Sequence, residues 1–247
     1  MIGVLQMPFY EREDKILKLL SSGSEFGLHE LAESLFISLP TLRRDLIKLE
    51  KKGLITRGHG KVSLKLQSAD TTIPFILRID EKNSVKNVIA QKATKHIKDG
   101  FVIMLDGSTS AYHLVPYLAE FKNLIVITGG AKTALLLAHY GITTIGTGGF
   151  MLNHSFSYVG KDALNTIEKY NADVLFFSCR GISYDGKLTD NSIEENVVRR
   201  QMMQYAKKKV FLCDSSKFGK TCLHNLCTLS EIDDIVSEAS IPDALKI

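Results

Sequence analysis

The sequence predicts an α/β protein of two unequal parts: a small helical domain that ends in a β-hairpin, then a larger domain built on a mostly parallel sheet. Three observations predict it. Apolar residues recur at helical spacing up to about residue 50, two short extended runs flank a Gly-rich turn at 54–64, and from about residue 101 apolar, β-rich runs alternate with helical patterns. The 247-residue length accommodates one small and one large domain, and 45% hydrophobic with 23% charged residues are the proportions of a globular chain able to bury a core.

Residues 9–20 read as the first helix, with Ile16, Leu17, Leu19 and Leu20 as its core stripe, closed by the turn residues Ser21, Ser22, Gly23 and Ser24. Leu28, Leu31, Ala32 and Leu35 mark a second short helix. Only Phe36, Ile37 and Ser38 separate it from a third, in which Leu42, Leu46 and Leu49 form a buried seam. Ser38 suits the N-cap of that helix, and Pro40 suits its first turn, where a missing N–H costs nothing. Thr41, Arg43, Arg44, Lys48 and Lys51 lie elsewhere around its cylinder, giving a basic exposed flank.

Two short helices forced into a sharp turn, the second one basic, are the sequence form of a helix-turn-helix whose second helix enters the major groove of double-stranded DNA. An arginine pair near the start of that helix can reach guanine edges or phosphate oxygens. Gly53 ends the helix, and residues 54–64 form the hairpin of a winged helix-turn-helix, carrying Arg57, His59 and Lys61. The candidate DNA-binding residues are therefore Ser38, Pro40, Thr41, Arg43, Arg44, Lys48, Arg57, His59 and Lys61. An ordinary helical hairpin with a solvated face is the plainer alternative. The wing speaks against it, and so does charge: between Thr41 and Leu66 eight Lys or Arg stand against two carboxylates, whereas the whole chain carries only +4. The winged domain is expected over 9–66.

Residues 67–72 are polar and non-periodic, so they are read as a linker, and the second domain is expected to span 73–247, its first helix near 84–97. Strands are predicted at 101–105, 124–127, 143–145, 174–177, 210–212 and 235–236, with helices at 110–120, 131–139, 161–170 and 193–207 between most of them. The strands end in Asp106-Gly107-Ser108-Thr109-Ser110, Thr128-Gly129-Gly130, Gly146-Thr147-Gly148-Gly149, Ser178-Cys179-Arg180-Gly181 and Asp214-Ser215-Ser216-Lys217. Open α/β sheets bind ligands along that carboxyl edge. Gly-Ser-Thr before a helix offers free N–H groups, hydroxyls and a helix N-terminus, all suited to a phosphate, and Lys217 adds a point charge. Any single loop of this kind can be a mere turn and N-cap; several converging on one edge favour a site for a small phosphorylated metabolite.

Cys179, Cys213, Cys222 and Cys227 lack C-x-x-C spacing and stand mostly in apolar runs, which fits reduced, structural thiols in a cytoplasmic protein. Cys222, His224 and Cys227 match no standard ligand set, so no metal and no cofactor are expected. No run of ~20 apolar residues suggests a membrane span, and residues 1–7 lack the charged start of a signal peptide.

Glu11-Arg12, Lys15-Ile16-Leu17, Leu31-Ala32, Ser38, the run Thr41-Leu42-Arg43-Arg44-Asp45-Leu46, Leu49-Glu50, Gly53 and Arg57-Gly58-His59-Gly60 resemble the DNA-binding domain of the DeoR-type bacterial regulators of sugar metabolism. Lys61 departs from the pattern, which usually has a small residue there. The second half resembles the sensor domain of the same family, similar in fold to ribose-5-phosphate isomerase. The matching residues are Asp106-Gly107-Ser108-Thr109, Thr128, Gly148-Gly149, Gly160, Glu195 with Val198 and Arg199, and 214–219; Gly129 replaces the usual asparagine. The resemblance implies a sugar-phosphate effector held by Asp106, Gly107, Ser108, Thr109, Thr128, Gly148, Gly149, Glu195 and Lys217. It also implies a homodimer or homotetramer on operator DNA, more often a repressor than an activator.

A sugar-phosphate isomerase is the rival reading. Moving a proton between adjacent carbons needs a placed carboxylate. The isomerase supplies it from an acidic loop after the fourth strand, where this chain reads Ser178-Cys179-Arg180-Gly181, so no catalytic residue and no enzymatic activity are expected.

Overall fold

A computed structural model describes residues 8–22, 25–58, 60–65 and 74–247. The expected linker at 67–72 and His59 lie outside the described residues. The chain divides into two compact units, Met1–Asp80 and Glu81–Ile247.

In the first unit α1 (Phe9–Ser22), β1 (Phe26–Gly27), α2 (Leu28–Ser34), α3 (Leu39–Lys51), β2 (Ile55–Gly58), β3 (Lys61–Leu64) and α4 (Phe75–Asp80) follow in order. The seams predicted from spacing meet in one core: Ile16, Leu17 and Leu20 of α1, Leu31 of α2, and Leu42, Leu46 and Leu49 of α3 are all buried, joined by Ile55 and Val62 of the wing. β3 pairs antiparallel with β2 and, on its other side, with the short β1. The second domain does not begin at residue 73 as expected. Ile76 of α4 is buried in this same core and Asp80 pairs with Lys18 of α1 at 3.2 Å, so an apolar turn read as a lead-in to the next domain closes this one instead.

The second unit opens with α5 (Asn83–Ala93) and proceeds through β4 (Val102–Leu105), α6 (Thr109–Leu118), β5 (Ile125–Thr128), α7 (Ala131–His139), β6 (Thr143–Gly146), β7 (Phe150–Leu152), β8 (Ser157–Val159), α8 (Lys161–Ile167) and β9 (Ala172–Phe177). It continues with β10 (Gly181–Ile182), β11 (Lys187–Asp190), α9 (Ile193–Gln204), β12 (Ala206–Leu212), β13 (His224–Thr228) and β14 (Asp234–Val236). Six of these strands form a parallel sheet in the order β14-β12-β9-β4-β5-β6. All six were predicted from their apolar runs. Near-continuous apolar sequence is what a sheet covered on both faces requires. One face carries α5, α6 and α7 over Ile103, Leu105, Val126, Phe176 and Leu212. The other carries α8, α9 and a small antiparallel sheet, β10-β11-β13, over Met104, Leu175, Phe177 and Phe211.

The small sheet and the β7–β8 hairpin were absent from the sequence reading. Their strands are two to five residues long and interrupted by Gly, Asp and Asn, too short for a period-2 signal to emerge. The strand order matters most for the site. From β4 the chain steps to β5 and β6 on one side, then returns to β9, β12 and β14 on the other, so the order reverses between β4 and β9. A crevice opens at the carboxyl ends of a sheet at such a reversal.

Candidate functional site

In the first unit, α3 begins where Ser38 sits extended and accepts a hydrogen bond from the Thr41 N–H at 3.4 Å; Pro40 follows in the first turn. Arg43 and Arg44 are exposed on the helix. Lys48 is exposed too, but its ammonium rests over the Phe9 ring, 4.2 Å from the centroid. Asp45 points the other way. It is buried, and it accepts two hydrogen bonds from Arg12, Nε to Oδ2 at 2.6 Å and Nη2 to Oδ1 at 3.0 Å, which clamp α3 to α1. The clamp holds the Arg12 guanidinium more firmly protonated than usual, the hydrogen bond to Asp45 being the main cause. Arg57 of the wing reaches back to Glu50 at the end of α3, and its hydrogen bonds lower the Glu50 pKa. Lys61 pairs with Glu25 at 2.9 Å. Exposed pairs of this kind contribute little stability, so either cation can exchange its carboxylate for a phosphate at small cost.

In the second unit the strand-end loops converge at the reversal. Asp106 follows β4 and is buried. Its Oδ1 accepts from the Ser108 N–H at 3.1 Å and from the Ser108 hydroxyl at 2.5 Å; its Oδ2 accepts from the Ser178 N–H, which follows β9, at 3.2 Å. Asp106 thus ties the two strands flanking the crevice. Ser108 is also the N-cap of α6, accepting from the Ala111 N–H at 3.2 Å, and Thr109 is the first residue of that helix. Lys217 Nζ donates to the Ser178 hydroxyl at 2.6 Å and lies 3.6 Å from Asp214. Burial works to raise the Asp214 pKa, but Lys217, Ser216 and Lys82 outweigh it and hold the carboxyl well below the usual range.

Thr128 ends β5 and accepts from the Gly130 N–H at 3.1 Å, which turns that loop against Gly107: a Cβ on Gly130 would come within 3.3 Å of the Gly107 Cα. Gly148 and Gly149 follow β6 with φ of +67° and +104°, and a Cβ on Gly149 would meet the Val159 carbonyl at 2.5 Å. They shape the rim beside β8 and α8. Eight of the nine candidate effector residues therefore end or follow strands of the sheet, and the ninth, Glu195, lies in α9.

The sequence offers Glu195 to an effector and gives Arg199 no role. In the structure the two form one network. Arg199, one turn along α9, is buried and donates to Asp106 Oδ2 (2.9 Å), Asp190 Oδ2 (3.1 Å) and Asn196 Oδ1 (3.0 Å), with Glu195 Oε2 at 3.5 Å. Burial disfavours the cation, yet Asp190, Glu195 and Asp106 together keep it protonated beyond its ordinary range. Glu195 Oε1 also accepts from the Ser157 hydroxyl at 2.8 Å. The sequence marks Ser178 only as part of a strand-end loop and gives Ser157 and Asn196 no role; the i,i+4 spacing of Glu195 and Arg199 is the signal for the helix side of the network.

Asp106, Gly107, Gly129, Ser157, Tyr158, Glu195 and Arg199 line a narrow recess. A wider one lies between α5 and β14, off the strand ends, where Lys92 Nζ already bonds the Ser237 and Glu238 carbonyls. The narrow recess is the one with convergent chemistry. Asp106 links it to Ser108 at the N-terminus of α6 and, through Ser178, to Lys217, while both carboxylates of the recess, Asp106 and Glu195, already face Arg199.

Residues 12–67 match the family model of the DeoR-like helix-turn-helix domain, and residues 81–239 match that of the DeoR C-terminal sensor domain. Among curated proteins the chain is similar to the HTH-type transcriptional regulator GolR of Listeria innocua, 34% identical over 96% of this chain and 93% of that one. It is also similar to the L-fucose operon activator of Haemophilus influenzae, at 30% over 95% and 94%, and to the HTH-type transcriptional repressor CsqR of Escherichia coli, at 28% over 95% and 90%. Ribose 5-phosphate isomerase A of Methanocaldococcus jannaschii superposes with a TM-score of 0.42 at 19% identity, over 55% of this chain and 54% of that one, a likeness that carries no weight for activity. With both halves matched in order across nearly its whole length, the chain belongs to the DeoR-type family of helix-turn-helix transcriptional regulators.

Proposed function

We propose that this regulator controls a carbohydrate-utilisation operon by binding double-stranded operator DNA as a homodimer or homotetramer, and that a phosphorylated sugar bound at the strand-end crevice changes its DNA affinity. The observation that carries the reading is the meeting of Asp106, Ser108, Ser178 and Lys217 at the reversal of strand order, a place where an anionic ligand finds donors from three separate loops. Repression relieved by the sugar phosphate is the form proposed, since family members act more often as repressors. For the ligand to release DNA it must favour the DNA-incompetent arrangement; a tenfold effect needs about 1.4 kcal/mol of differential binding.

An isomerase reading is disfavoured by the same geometry. Asp106 and Glu195 are the carboxylates in the recess, and Arg199 holds both. A general base must be free to take a proton from substrate.

Thermal melting against a panel of sugar phosphates, paired with product assays, tests the proposal. Stabilisation without turnover supports a sensor, turnover supports an enzyme, and no response to any member contradicts both. For the other unit, Arg43→Ala and Arg44→Ala are expected to weaken a duplex enriched by the wild-type chain by about 1–3 kcal/mol each if they read bases. Unchanged affinity in both removes α3 as the reading helix.

A further inference from the structure

Phe36 combines two unfavourable features. It stands between α2 and α3 with φ of 54°, in the left-handed region, and its side chain is 95% exposed. The left-handed backbone is imposed by the way α2 ends: the Phe36 N–H donates to the Glu33 carbonyl at 3.0 Å and the Ile37 N–H to the Ala32 carbonyl at 3.1 Å. Those two bonds are the helix-ending motif whose left-handed position is normally glycine, because a Cβ is strained there. Here the position holds a large aromatic residue. A lone exposed Phe is unremarkable in itself. A lone exposed Phe at a position that favours glycine, and packed on nothing among the described residues, is a different matter. The other non-glycine residues with positive φ among those described are polar, or, in Phe156, partly buried.

Its place suggests what covers it. Phe36 precedes by two residues the Ser38 N-cap of α3, whose N-terminal end carries Thr41, Arg43 and Arg44. A recognition helix presents that end to base edges in the major groove. The neighbouring polar and basic groups suit phosphates. An uncharged aromatic ring among them suits the apolar surface that duplex DNA offers in the same place, the thymine methyl group in the groove or the deoxyribose along its wall.

Resting on the DNA-binding reading of α3, we infer that Phe36 is a further affinity-determining residue, docking on the apolar edge of the duplex beside the α3 N-terminus. The test uses the full chain and a duplex enriched by the wild-type protein from a random-sequence library. Phe36→Gly is expected to melt no lower than wild type while binding that duplex at least fivefold more weakly. Replacing thymine by uracil in the duplex then separates the sources: a loss seen with wild type but not with the variant places the ring on a methyl group, and no loss places it on deoxyribose.

Wild-type affinity in Phe36→Gly, with affinity lost in Arg43→Ala, overturns the inference and leaves the reading of α3 intact. Wild-type affinity in both variants overturns the reading itself. Weaker binding accompanied by a smaller oligomer in sedimentation assigns Phe36 to a contact between copies and also overturns the inference.

Discussion

Arg199 Nε lies 2.9 Å from Asp106 Oδ2, and this pair joins α9 to the end of β4 at the point where the strand order reverses. The same guanidinium reaches Asp190 and Glu195, so one cation holds together three carboxylates delivered by three different elements. The crevice is thereby kept in shape by ion pairs among residues that themselves line it.

Arg199→Met keeps most of the length of the side chain and removes its charge. Asp106, only 1% exposed, would remain buried without its cation, and Asp190, 3% exposed, would keep only Arg180 at 3.8 Å. Breaking a buried pair from one side costs about 3–5 kcal/mol. Calorimetry of the full chain is expected to show the transition of the second unit lowered by many degrees. A shift within about two degrees would contradict the role given to Arg199.

In the first unit Asp45 has the corresponding part. It is 2% exposed and accepts both hydrogen bonds of a forked contact from Arg12, whose own side chain is only 14% exposed. Asp45→Ala is expected to destabilise this unit by about 2–4 kcal/mol. Arg12→Ala combined with Asp45→Ala should cost less than the sum of the two single changes, with a coupling of about 1–3 kcal/mol. Additive effects in urea unfolding would show that α1 and α3 are held by their apolar seam alone.

Asp45 also shows what the sequence could and could not reveal. The Leu42, Leu46 and Leu49 seam was legible because apolar spacing reports burial directly. A buried aspartate breaks that pattern, and only its partner on α1, thirty-three residues away, explains it. The six parallel strands were legible for the same reason as the seam, and the Gly, Ser and Asp residues at their ends marked the edge on which a site could form. Which of those residues bond each other was not legible. Ser157 arrives from a hairpin whose strands are three residues long, and Arg199 from a helix whose inward face carries charge rather than a clean apolar stripe. The domain boundary was misplaced because Phe75 and Ile76 read equally well as the start of one core or the end of another.

Asp214 gives the crevice a defined acid sensitivity. Lys217, Ser216 and Lys82 overcome the effect of burial and lower its pKa in the folded protein, whereas an unfolded aspartate titrates near 3.9. A depressed folded pKa contributes stability that is fully present above the unfolded value and fades as pH falls below it toward the folded one. Wild type is therefore expected to exceed Asp214→Asn in urea midpoint at pH 6, with the gap narrowing from about pH 4 downward. Other acids with lowered pKa, Asp234 and Glu238 among them, are common to both proteins and cancel in the difference. A gap that stays constant to pH 3 would show that Asp214 titrates normally.

The four thiols allow opening of the crevice to be measured. Cys179 follows Ser178 directly and Cys213 precedes Asp214, and both are buried, as is Cys227; Cys222 is partly exposed. Burial pushes the Cys179 and Cys227 thiols up to about 12 and raises Cys213 as well. At pH 8 a thiol with a pKa near 12 is thiolate for only about one part in ten thousand, and the thiolate is the reactive form. A disulfide reagent is therefore expected to label one equivalent in the native chain, at Cys222, and four after denaturation; Cys222→Ser should abolish the native reaction. Prompt labelling of Cys179 or Cys213 in that variant would mean that the strand ends around Ser178 and Asp214 open readily. In that case the sugar phosphate proposed above is expected to slow the reaction in proportion to its occupancy.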